Sequence, residues 1–183
     1  MRAFLSAFVA VAAIAAASAD VHAGGRPPPQ VSVRCDVALN VADPDPRGLN
    51  VRAAPTTTAP VVAVLKPDAE WITVHAIAQQ GDWMRIDRAV GIDDDAPDGE
   101  RLVFRGDGWV HLRLLGISGL FVGGGATLRQ RPDANAPAVF TLDGDDTLPT
   151  RVLGCSGGYL RVRYGKHVGW TDRWCNNERT TCS

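Results

Sequence analysis

The sequence predicts an all-β fold, organised after a cleaved leader as two small modules in tandem. Three observations carry that expectation. Short runs rich in Val, Ile, Leu, Thr and Trp are punctuated by Gly, Pro and Asp, the texture of strands and turns. Past the leader, no long segment keeps the period of an amphipathic helix. The text also repeats: sliding it so that Arg52 falls on Arg129 places Pro55 on Pro132, Ala59 on Ala136, Pro60 on Pro137, Val62 on Val139 and Leu65 on Leu142.

Taken in order, Arg2 and the apolar run over residues 3–17 read as a secretory leader, cut after Ala23 or a few residues earlier. It is too short for a membrane anchor, which needs about 20 apolar residues, and no later run is longer. Residues 24–32, with "GGRPPPQ", form an extended lead-in. Module one, 33–116, has strand-like runs at 61–65, 71–78, 83–87, 102–105 and 109–112. Module two, 126–183, has them at 138–142, 148–153, 159–164 and 167–171, followed by a cysteine-containing tail.

With one residue deleted, Trp83 falls on Tyr159 and Arg85 on Arg161, and Gly108 and Trp109 then fall on Gly169 and Trp170. The first copy therefore carries an insertion, 88–103, whose "GIDDDAPDGE" is too polar for a core and is expected to project as a mobile acidic loop. The joint, 117–125, is ambiguous. Its glycines argue for mobility and its apolar "GISGLF" beginning argues for docking.

Nineteen Lys and Arg against twenty Asp and Glu give a net charge of −1, so nothing steers the chain to nucleic acid or anionic lipid. All four cysteines, Cys35, Cys155, Cys175 and Cys182, follow the leader, where an oxidising compartment favours two disulfides. Their spacing suits no zinc site, and no cofactor is implied. Of three possible pairings, Cys155 with Cys175 and Cys35 with Cys182 is slightly favoured, because the first closes a short loop within module two. Cys175 with Cys182, leaving Cys35 for Cys155, is the main alternative.

The order "LNVRAAP", "VVAVLKPDAEWITVHA", "GDWMRI" and "GDGWVHLRLL" resembles the bacterial SH3-like (SH3b) module, and residues 126–174 resemble it more loosely, with Tyr159 in place of Trp83. The resemblance implies a small, strongly bent β-barrel for each module. It also implies a non-enzymatic, exported protein, periplasmic or secreted, that binds peptidoglycan or another peptide ligand. A scaffold for an envelope protein, or a regulator of a cell-wall enzyme, is the alternative. The oligomeric state is open.

In "WMRID", Trp83, Arg85 and Asp87 share one face of a strand and Met84 and Ile86 the other. Trp109 and Trp170 are expected mainly in the core, with a groove role as the alternative. The ligand-binding candidates are Trp83, Trp109, Arg52, Arg85, Tyr159, Trp170 and Arg129, since aromatic faces and guanidinium forks suit a peptide and its carboxylates. No catalytic residue is expected: "GCSGG" around Ser156 fits a nucleophile string but should be a turn between strands. The acidic clusters at 93–98 and 143–146 lack the spacing of a calcium loop.

Overall fold

The computed structural model describes residues 31–67, 70–120, 125–143 and 149–176. The leader, the lead-in up to Gln30 and Cys182 lie outside them. The described chain is all-β. Its first sheet holds β1 (Val33–Val41), β2 (Leu49–Arg52), β3 (Val61–Leu65), β4 (Glu70–Gln80), β5 (Trp83–Ile92), β6 (Glu100–His111) and β7 (Leu115–Gly116). The second holds β8 (Ala126–Arg129), β9 (Ala138–Leu142), β10 (Thr150–Ser156), β11 (Tyr159–Tyr164) and β12 (His167–Thr171). The orders are β3-β2-β6-β5-β4-β1-β7 and β10-β11-β12-β8-β9, and the strand pairs within them are antiparallel.

The repeat is written into the backbone hydrogen bonds. The Ala53 N–H donates to the Pro60 carbonyl as Gln130 does to Pro137, and Ala59 to Thr56 as Ala136 to Asp133. Arg52 Nη1 donates to the Ala59 carbonyl at 2.8 Å, and Arg129 Nη1 to the Ala136 carbonyl at 3.0 Å. Each arginine thus ties down the loop that follows it, which explains why the Arg and the paired Ala-Pro recur together.

Glycines mark where the strands cross. Gly108 and Gly169 face inward, and a Cβ on Gly169 would lie 2.7 Å from the Leu128 Cβ, as one on Gly108 would overlap Val51. In a strand the next residue points outward, so Trp109 and Trp170 are half-exposed on the outer face. This corrects the expectation that they sit in the core: that place belongs to Val110 and Thr171.

One core runs through both sheets, with Leu39, Leu49, Val51, Met84 and Ile86 from the first meeting Leu128, Leu160 and Val162 from the second. Fully burying a side chain of this size contributes about 1.5–3 kcal/mol. The N-terminal strand makes the join. Alternation in β1 turns Cys35, Val37 and Leu39 inward. Asp36 N–H donates to the Gly157 carbonyl at 2.8 Å and Gly157 N–H to the Arg34 carbonyl at 2.9 Å.

A disulfide joins Cys35 to Cys155 across a separation of 120 residues. Cys175 is also disulfide-bonded. The favoured Cys155 to Cys175 pairing is thereby overturned, because β1 presents Cys35 directly beneath β10. The joint docks: Leu120 is fully buried, Ser118 N–H donates to the Cys175 carbonyl at 2.8 Å, and Trp174 Nε1 donates to the Ala38 carbonyl at 3.0 Å.

Most of the insertion expected as a mobile loop is strand. Arg88 pairs with Arg105 and Ile92 with Glu100, so β5 and β6 continue as a hairpin arm. Its tip is held by Asp93 N–H donating to the Gly99 carbonyl and by side-chain turns at Asp93 and Asp98.

At the base of this arm, His75 Nδ1 lies 2.7 Å from Asp87 Oδ1 and its Nε2 lies 2.9 Å from Asp36 Oδ1. Burial disfavours the charged ring, but the hydrogen bonds to Asp36 and Asp87 outweigh it and raise the His75 pKa above 6.5. A raised folded-state pKa adds stability that is complete below the unfolded value and is lost as pH rises through the folded one. Arg88 and Arg105 share this depression. The melting temperature should therefore fall by about 1–2 °C on raising the pH from below 6.5 to alkaline values. A His75→Gln variant, heated in the same buffers, should show a smaller drop.

Candidate ligand-binding site

The first module's outer surface carries two adjoining clefts. Trp83 opens β5 facing outward, because Met84 and Ile86 take the inward positions. Its strand partner in β6 is His111, and the two rings lie 5.1 Å apart, tilted by 52°. His111 Nδ1 accepts the Arg113 N–H at 3.3 Å, so the neutral ring carries its proton on Nε2. Asn50, Arg52 and Thr57 from the β2–β3 hairpin, with Arg113, enclose a cleft of about 250 Å³. Asp43 and Asp45 also line it.

The cleft thus brings together an aromatic pair, two guanidiniums and two carboxylates. Arg52 uses one of its five donors on the Ala59 carbonyl, and the others have no protein partner among the described residues. Asp45 binds Arg47 through both carboxylate oxygens, and this hydrogen bonding holds its pKa at about 2, so it stays ionised. Beyond the two aspartates lies a second cleft of about 240 Å³, walled by Leu65, Pro67, Trp71 and Ile72.

Two of the residues singled out in the sequence, Trp83 and Arg52, therefore meet in one cleft. Trp109 sits between Arg52 and Arg85 across β2, β6 and β5, and Trp170 between Arg129 and Arg161 across β8, β12 and β11. Both form ladders of alternating arginine and tryptophan. Arg85 is occupied by Asp107, which it meets through Nε at 2.7 Å and through Nη2. That contact lowers the Asp107 pKa and raises that of Arg85.

Trp170 and Arg161 border a depression at the module junction with Gln79 and Cys155, while Tyr159 begins β11 opposite Ser156. Ser156 ends a strand that turns through Gly157 and Gly158 into β11, a hairpin and not a strand-to-helix elbow. His167 stacks on Phe140 at 4.2 Å, and the Cys155 sulfur is held in the disulfide.

Trp71, one of the aromatic residues the sequence offers for binding, lines the second cleft instead. Asp43, His111 and Arg113 escaped the sequence reading as site residues: Asp43 lies in a segment far from the other two, although His111 could have been placed from the outward alternation of "GWVH". Among the described residues, no group of three or more His, Cys, Asp or Glu is placed to hold a metal ion. Comparison with family models, curated proteins and solved structures finds no match to the chain.

Proposed function

We propose that the chain is a non-enzymatic, exported envelope protein that binds a peptide ligand, the peptide stem of peptidoglycan being the first candidate, through the Trp83 cleft of an SH3b-like first module. The cleft itself carries this reading. It gathers an aromatic pair, guanidiniums and carboxylates in one lining, and a peptide offers apolar bulk with both signs of charge. Guanidinium forks match carboxylates bidentately, and aromatic residues supply rigid contact area at recognition sites. The disulfides agree with an oxidising compartment.

Co-sedimentation of the protein with purified peptidoglycan, beside a Trp83→Ala variant shown to be folded, tests this. Wild type should pellet with the wall material, and the variant should lose most of that binding. If wild type stays in the supernatant, the wall ligand is wrong and weight moves to a protein partner. A scaffold role is the second reading. It is favoured by the continuous core between the modules and by the use of Trp174, in the second module, to dock on Ala38.

A further inference from the structure

The second cleft has a chemistry of its own. Trp71 is the sole non-glycine residue with positive φ among those described, at 50°, and its side chain stays 40% exposed. The β4–β5 ladder slips between Glu70 and Thr73, a bulge that turns Ile72 into the core and leaves the indole outside. Holding an L-residue in the left-handed region costs roughly 1–2 kcal/mol, and such strain gathers at ligand sites.

Among the described residues, the charged ones lining this cleft are Asp43 and Asp45. The nearest basic residues along the chain are Arg47, already bound to Asp45, and Lys66, and neither lines it. Asp43 is half-buried and accepts the Asp45 N–H at 3.0 Å, and it has no cationic partner among the described residues. An aromatic face beside one unneutralised carboxylate, that of Asp43, is an environment that attracts an alkylammonium ion.

We infer that the Trp71 cleft binds a primary ammonium group, with Asp43 as its counter-ion, on the same peptide whose carboxylate end lies toward Arg52 and Arg113. The inference rests on the peptide-binding reading of the Trp83 cleft and adds the ligand's charge pattern. Asp43 and Asp45 border both clefts, so one short chain spans them. The repeat has no counterpart of Asp43, since Leu120 stands at its offset and is fully buried.

The test is an NMR titration of the full protein, following the indole N–H signals of Trp71 and Trp83. Three probes separate the sources of the amine: N-acetyl-Ala-Lys-Ala, the same peptide acetylated on the lysine side chain, and Ala-Ala-Ala with a free amino terminus. The Trp71 signal should move with the lysine peptide or with the free amino terminus, and not with the fully acetylated peptide. Asp43→Asn, which keeps the acceptor for Asp45 N–H, and Trp71→Ala should each weaken that binding by about ten-fold. Equal movement of Trp83 with all three probes while Trp71 stays still would overturn the ammonium site and leave the peptide cleft standing. If neither indole moves, both fall.

Discussion

A Cys35→Ala/Cys155→Ala double variant is expected to lose about 4 kcal/mol of stability. In the chain-entropy account, closing a loop of 120 residues is worth about 5 kcal/mol, and removing a native disulfide costs about 2–5 kcal/mol in practice. For a chain of this size that lowers the melting temperature by on the order of 10 °C. Calorimetry should show a second effect. The bridge fastens a strand of the first sheet to a strand of the second, so its loss should broaden or split a transition that is single in the wild type. A variant that melts with the wild type, in one step, would remove the disulfide from any role in coupling the modules.

Gly48→Ala should be nearly as damaging, at about 3 kcal/mol. Gly48 adopts φ +96°, where an L-residue is strained, and an added Cβ would overlap the Leu65 carbonyl oxygen and lie 2.9 Å from its carbon. The offending atoms are backbone of the neighbouring strand, so a rotamer change gives no relief; left-handed strain adds about 1–2 kcal/mol and overpacking about 1–3. Gly125→Ala should behave alike, because Gly125 meets the Leu142 carbonyl at φ +89° at the same point of the repeat. Urea unfolding at equilibrium measures both. A loss below about 1 kcal/mol, the ordinary cost of a mild surface change, would mean that the strand ends shift freely to make room.

The strands that read most clearly in the sequence are those whose apolar runs end at Pro, Gly or Asp. The runs at 61–65, 138–142, 159–164 and 167–171 coincide with β3, β9, β11 and β12. The hairpin arm was hidden, because its paired strands carry Arg88, Arg101 and Arg105 on open surface while the buried positions of β5 there, Ala89 and Gly91, are too small to mark a strand. β1 was legible but unread: Cys35, Val37 and Leu39 alternate cleanly, yet their partners in β4 lie far along the chain.

The site followed the same division. Trp83 and Arg52 stood out because each lies in a repeated phrase, whereas Asp43 and Trp71 belong to the places where the two copies differ. Repetition reports what the modules share, which here is the Arg-tied loop and the glycine crossing. What distinguishes the first module lies in text that the second lacks.

The bridge has one more consequence, in the order of assembly. Cys35 and Cys155 are the first two cysteines that a chain emerging from its N-terminus presents, and they are partners. In an oxidising compartment Cys35 meets no competing thiol until most of the protein has followed it. By the time Cys175 arrives, the strands that align the first pair have already been delivered. Where the chain is oxidised as it emerges, sequential oxidation therefore leads directly to the native Cys35–Cys155 pair.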